Sequence, residues 1–290
     1  MTGADEYALD KARVREAFGR AAAGYEAHAV LQREVQGRLI ERLDLVKLQP
    51  ARVLDLGCGI GEALDLLARR YRKAELTGVD FAPGMVAAAQ RRGRWWRRPR
   101  VVCADIEALP LPEAHYDLAV SSAALQWCSS LDQAFTEVRR VLAPGALWTF
   151  STFGPDTLRE LRAAFAEVDG GGAQHVNAFV DMHDIGDALV RAGFADPVMD
   201  QETLTLTYGD FQTLLRDLRG VGVRNALAGR ARGLLGPRRL QAVAEAYARA
   251  FAVEDRLPAT WEVVYGHAWV PEAPPPSKPQ GRVIPVRPVS

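Results

Sequence analysis

Through the first half of this chain, short β-branched and apolar runs alternate with stretches whose apolar residues recur every three or four positions. Bounded apolar runs of this kind read as buried strands, and the longer period reads as amphipathic helix. The pattern predicts strands at 52–56, 75–80, 100–104, 116–121 and 146–153, with helices at 62–70, 83–92 and 131–141. Pro144-Gly145 predicts a turn before the fifth strand. Strands alternating with helices imply an α/β fold, with a parallel sheet covered on both faces. Residues 11–45 read as helical with one break near Gly24. After residue 153 the pattern loosens. Helices are expected at 155–168, 182–193, 210–220 and 237–253, and strands at 203–208 and 261–269. Asp181 is placed to cap the helix at 182, with Asp184 at its third position.

These elements divide the chain into an N-terminal helical cap (1–48), a core (49–153), remaining core strands with an inserted helical lobe (154–270) and a Pro-rich tail (271–290) expected to be disordered. Asp169 to Gly172 reads as a flexible link, and no internal repeat is found. At 290 residues and 48% hydrophobic, the chain is long enough for one full α/β core plus an extra lobe. Thirty-six basic residues balance thirty-six acidic ones, so no global field draws the chain to nucleic acid or membrane. Cys58, Cys103 and Cys128 are odd in number and form no CxxC, which suggests reduced thiols rather than a disulfide frame or zinc site. Residues 1–10 hold no apolar signal core and no stretch approaches the length of a membrane span, so a cytoplasmic location is expected.

The chemistry centres on the end of the first strand. Gly57, Gly59 and Gly61 follow it at two-residue spacing and precede a helix. Glycines there let the backbone take positive φ and let a ligand approach the main chain, beside the unpaired N–H groups of a helix N-terminus. A dinucleotide fingerprint wants a glycine or alanine one position after Gly61; this chain has Glu62, which would repel a pyrophosphate. Asp55 precedes the glycines, and Asp80 closes the second strand, where it can accept both hydroxyls of a ribose. S-adenosylmethionine (SAM), with an α-amino group, a sulfonium and no phosphate, suits such acids. A ligand-free glycine turn and a dinucleotide site remain as alternatives. Gly57, Asp80, Asp105 and Ser121 all fall at expected strand carboxyl ends, where ligands of such sheets collect.

Residues 55–61, 78–85 and 104–110 resemble three successive motifs of the class I SAM-dependent methyltransferases, and the resemblance covers about 49–153. It implies a Rossmann-like seven-stranded sheet with SAM as cofactor. It also implies that Asp80 binds ribose, that Met85 flanks adenine, and that Asp105 and Ile106 meet the adenine edge. Met85 reads equally as core filler on its helix. The cofactor set expected is Asp55, Gly57, Cys58, Gly59, Gly61, Asp80, Phe81, Met85, Asp105, Ile106 and Ser121.

Residues 24–32, 125–128, 175–179 and 218–222 together resemble the malonyl-acyl-carrier-protein O-methyltransferases of biotin synthesis. Many members of that family have an arginine where this chain has Ala178. The resemblance implies transfer of a methyl group to the free carboxylate of a malonyl thioester. A carboxylate is already ionised at neutral pH, so no catalytic base is expected and alignment matters most. Arg216 and Arg219 are candidates to hold the carboxylate, with His175 and Asn177 as neutral donors, Tyr25 closing the pocket, Gln126 as a further substrate-orienting candidate and Trp127 facing the methyl pocket. Each also reads as an ordinary surface, bracing or core residue. No metal is expected, because His175, Asp181, His183 and Asp184 match no familiar ligand spacing. The implied partner is an acidic acyl carrier protein, docked on Arg230, Arg232, Arg238 and Arg239. The arginine- and tryptophan-rich stretch 91–100 reads as a solvated turn, with carrier docking or nucleic-acid binding as alternatives. Residues 184–194 and 258–260 also resemble a respiratory complex I assembly factor that hydroxylates an arginine on a partner subunit. A SAM-binding scaffold without catalysis is the remaining alternative.

Overall fold

The computed structural model describes residues 9–92, 99–170, 178–221 and 236–272. Among them, seven strands form one sheet: β1 (Arg52–Leu56), β2 (Glu75–Asp80), β3 (Arg100–Cys103), β4 (Tyr116–Ser122), β5 (Leu142–Phe153), β6 (Ala195–Tyr208) and β7 (Leu257–Trp269). Their order is β3-β2-β1-β4-β5-β7-β6. The first five are parallel, whereas β7 runs antiparallel to both β5 and β6. The chain builds outward from β1 through β2 to β3 and then returns to place β4 on the other side of β1. That reversal opens a crevice at the carboxyl ends of β1 and β4.

Ten helices accompany the described strands: α1 (Lys11–Ala21), α2 (Tyr25–His28), α3 (Val30–Glu41), α4 (Glu62–Arg70), α5 (Pro83–Ala89), α6 (Leu131–Val141), α7 (Arg159–Asp169), α8 (Met182–Arg191), α9 (Phe211–Gly220) and α10 (Pro237–Phe251). Side chains alternate across a strand, so each central strand feeds two cores. Val53, Leu118 and Leu147 join Leu39, Leu67 and Phe165 on one face. Their neighbours Leu54, Ala119 and Trp148 join Phe135 and Leu189 on the other. Trp148 is fully buried there, with ring centroids of Phe135 and Phe150 at 4.8 Å and Phe194 at 5.3 Å. Burying an aliphatic or aromatic side chain of this size is worth about 1.5–3 kcal/mol, so this two-sided filling holds the sheet.

Several boundaries depart from the sequence reading. The N-terminal helical stretch breaks twice, at the expected Gly24 and again at Ala29. Helix α5 stops at Ala89, where the Arg91 and Arg92 N–H groups donate to the Ala88 and Ala89 carbonyls in tighter turns, and the Arg92 side chain pairs with Glu26, Glu62 and Asp65. Helix α7 starts at Arg159 rather than 155, after Leu158 in a left-handed conformation. The expected Pro144-Gly145 turn lies inside β5 as a bulge. Leu142 pairs with Tyr116 and Leu147 with Leu118, and Gly145 takes φ +75° between them. Strand β6 begins at Ala195, well before 203, and β7 begins at Leu257 rather than 261. The added part of β6 is polar and mostly exposed, as suits a sheet edge. No helix among the described residues is long and apolar enough to cross a membrane.

Candidate active site

The turn after β1 is built as bare main chain. Gly57, Gly59 and Gly61 all take positive φ, at +74°, +53° and +91°. The N–H groups of Gly57 and Cys58 both donate to the Val79 carbonyl, at 2.8 and 2.9 Å, which ties the loop to β2. A Cβ on Gly57 would fall 2.3 Å from the Ala124 Cβ, so that glycine is needed for space as well as for φ. Gly61 caps α4 close to Ala89, and Cys58 points inward against Gly78. Neither Gly61 nor Cys58 lines the crevice, so their part in the site is to shape the loop.

Asp80 stands where the loop and β2 meet. Its Oδ2 accepts from the Gly59 N–H and its Oδ1 from the Ala82 N–H, each at 2.9 Å. Each carboxylate oxygen has a second lone pair, so two hydroxyls of a ligand can still be accepted. Burial raises the Asp80 pKa to about 6, against the pull of those two backbone donors. Asp55 lies beneath the loop and is not among the residues that line the crevice. It is 1% exposed, and its Oδ2 has no hydrogen-bond partner among the described residues. Burial first, and the Asp80 charge second, raise its pKa to about 8.

The crevice encloses about 610 Å³, part of it open to solvent. Gly57, Gly59, Asp80, Phe81, Met85, Asp105 and Ile106 line it as expected, and Tyr25 and Trp127 close it. Ser121 does not. Its side chain points to the opposite side of β4 and is fully buried, and the following Ser122 faces the crevice instead. Phe18 on α1 was not singled out from the sequence. It packs edge-on against Trp127 at 5.2 Å and Phe81 at 6.1 Å, and forms part of the roof. The periodic stripe Val14, Ala17, Phe18 was the available signal. Burial pushes the Tyr25 hydroxyl pKa well up, with the Asp80 and Glu62 charges adding to the effect, so it stays a donor.

A second cavity of about 1190 Å³ adjoins the first, and Cys128 lines both. Leu9, Gln126, Thr152, Phe179 and Arg191 are among its walls, and Ala178 opens onto it. Gln126 therefore belongs to this second space, where it donates to the Ala123 carbonyl at 2.6 Å and accepts from the Thr152 hydroxyl at 3.3 Å. Arg216 and Arg219 are not among the residues that line either cavity. Helix α9 turns Phe211, Leu214 and Leu218 into the core, and that leaves both arginines on its exposed side. His175, Asn177, Arg230 and Arg232 lie outside the described residues, as does most of the 91–100 stretch. Asp181 caps α8 by accepting from the His183 N–H at 2.8 Å, and no cluster suited to a metal occurs among the described residues.

Among the described residues, the charged ones lining the first crevice are Asp80 and Asp105, both acidic. A diphosphate would be repelled there, whereas a cationic nucleoside finds acids, bare backbone and the apolar walls of Phe81, Met85 and Ile106. Sheet order, glycine turn and acid-lined crevice define a Rossmann-like methyltransferase domain, and residues 54–150 match the methyltransferase domain family. The fold is shared with the YcgJ protein of Bacillus subtilis, at a TM-score of 0.57 and 15% identity over 81% of this chain and 98% of that one. Two relatives named malonyl-[acyl-carrier protein] O-methyltransferase cover nearly the whole sequence. The one from Methylovorus sp. is 53% identical over 93% of this chain and 92% of its own. The one from Halorhodospira halophila is 51% identical over 93% and 91%. This chain belongs to the malonyl-[acyl-carrier protein] O-methyltransferase family, and its cofactor is SAM. Neither relative carries the name of the arginine-hydroxylating factor.

Proposed function

We propose that this chain transfers the SAM methyl group to the free carboxylate of a malonyl thioester carried by an acyl carrier protein, in the service of biotin synthesis. The observation that supports this best is the acid-lined crevice at the switch point, in a chain 51–53% identical to the two relatives of that name. When bound, SAM supplies an electrophilic methyl on a positively charged sulfur. The chain's own task is then to hold and align. Asp80 grips the ribose, Asp105 and Ile106 border the adenine, and Phe81 and Met85 flank it. The substrate carboxylate has a reference pKa near ~4 and attacks as it stands. One C–O bond forms while the C–S bond breaks and its electron pair returns to sulfur, so no proton need move.

Tyr25 and Trp127 cover the crevice beside the second cavity. Tyr25 orients the carboxylate through its protonated hydroxyl, while Trp127 and Phe18 exclude water from the reacting atoms. The substrate arm enters through the second cavity and passes Gln126 and Cys128, with His175 and Asn177 as further donors. The acidic carrier docks on Arg230, Arg232, Arg238 and Arg239. Of these, Arg238 is exposed, and Arg239 is paired with Asp169. A cytoplasmic location suits the three unpaired thiols.

Mass spectrometry of malonyl carrier protein after incubation with the chain and SAM tests this reading. A gain of one methyl group is expected, and none on a carrier whose malonyl carboxylate is already esterified. Methylation of both carriers alike would refute the assignment to the free carboxylate.

A further inference from the structure

Lys11 lies on the same side of α1 as Val14 and Phe18, where an apolar residue would be expected. Its ammonium sits 2.6 Å from the Asp105 Oδ2 and also contacts the Glu107 carboxylate. The other Asp105 oxygen accepts from the Glu107 N–H at 3.1 Å, so both oxygens of this crevice-lining acid are held. Glu107 is buried and accepts from the Ser130 N–H at 2.6 Å, which anchors the arrangement to the start of α6. Lys11 is the cation paired with these two acids among the described residues. At its other end, α1 crosses α5 so closely that a Cβ on Gly84 would fall 2.8 Å from the Gly19 carbonyl oxygen. Phe18 is seated there on Trp127 and Phe81. Helix α1 is thus fastened at both ends across the crevice.

We propose that Lys11 is a positioning residue for the cofactor: it fixes the Asp105 carboxylate toward the crevice and latches α1 over the bound nucleoside. This rests on the reading of the crevice as the SAM site. Without the ammonium, Asp105 and Glu107 are like charges side by side. Their repulsion turns Asp105 away and frees the first turn of α1. The effect passes through Asp105, so it disappears when Asp105 carries no charge.

Calorimetric titration of SAM into the full chain tests the proposal, with Lys11→Met, Lys11→Arg, Asp105→Asn and the Lys11→Met/Asp105→Asn double variant. Lys11→Met should weaken SAM on the order of tenfold, the scale of one charge-assisted hydrogen bond. Lys11→Arg should stay within about threefold of the parent, because it keeps the charge. In the Asp105→Asn background, Lys11→Met should cost less than about twofold, as expected of coupled residues. Unchanged affinity in Lys11→Met, failure of arginine to rescue, or an undiminished loss in the Asp105→Asn background would each overturn the latch. A parent chain that binds no SAM would overturn the cofactor reading along with it, whereas a parent that binds and a Lys11→Met variant that binds equally would overturn the latch alone. Should Lys11→Met fail to fold, Lys11→Gln takes its place in the titration: SAM should again weaken on the order of tenfold, and unchanged affinity would overturn the proposal.

Discussion

Asp80 serves two purposes at the scale of a single residue. Its oxygens hold the Gly59 and Ala82 N–H groups, and the same carboxylate faces the crevice. Replacing it with alanine should weaken SAM by about 2 kcal/mol, roughly thirtyfold, and calorimetry with a folded-state control will read it. The raised pKa also sets a pH dependence. In the unliganded chain the folded form holds the Asp80 proton more tightly than the unfolded form does. This group's contribution to stability therefore falls as pH rises from about 4 to about 6. Asp55 extends the fall to about 8. Ribose hydroxyls donate to the ionised acid, so SAM affinity should climb between pH 5 and pH 7, and Asp80→Asn should flatten that climb. An acid ending a strand beside a glycine turn is legible in sequence, as Asp80 was. Lys11 and Phe18 were not legible, because their roles exist only once α1 lies across the crevice. The outward placement of Arg216 and Arg219 was not legible for a different reason. A guanidinium suggests a carboxylate partner on either side of a helix, and here Phe211, Leu214 and Leu218 decide which side faces out.

Among the elements, the glycine turn and the 3-10 turn at Leu125–Trp127 pack closely together, through Gly57 and the Ala124 that precedes that turn. Gly57→Ala combines a positive-φ penalty with a clash against Ala124 and should destabilise the chain by about 2–4 kcal/mol. Thermal unfolding measures that loss, and SAM binding should fail in the same variant. A Gly59→Ala change meets no atom within 4 Å, so its cost should be the smaller, conformational one. The central strands were legible from their apolar runs because they are buried on both faces. Most of β6 was not, because residues 195–202 carry edge-strand polarity and look like loop until β7 pairs with them from Ala195–Trp269 to Tyr208–Leu257. The bulge at Gly145 likewise looked like a strand boundary, since a proline and a positive-φ glycine give the same sequence signal in either setting.

Taken as a whole molecule, the chain has no net charge, so any attraction for an acidic carrier must be local. Raising salt from about 0.1 to about 1 M shortens the screening length from roughly 10 to 3 Å. The KM for malonyl carrier protein should then rise several-fold, while the KM for SAM, held inside the crevice, should change little. Arg238→Glu should reproduce the carrier effect at low salt. The fold and the cofactor crevice were legible because they depend on short motifs at strand ends, where local sequence fixes local geometry. The substrate side was less so. Its second cavity is assembled from Leu9 before α1, the 125–130 segment after β4, the start of α6, the end of β5 and α8, residues far apart in the chain that no single motif links.

The most direct measurement follows the methyl group itself. Methyl-labelled SAM incubated with the chain and malonyl carrier protein should place label on the carrier as an ester that mild base releases as methanol, and Asp80→Ala should suppress that signal at limiting SAM. Label that never reaches the carrier, from a chain shown to bind SAM, or label that resists base, would contradict carboxyl methylation.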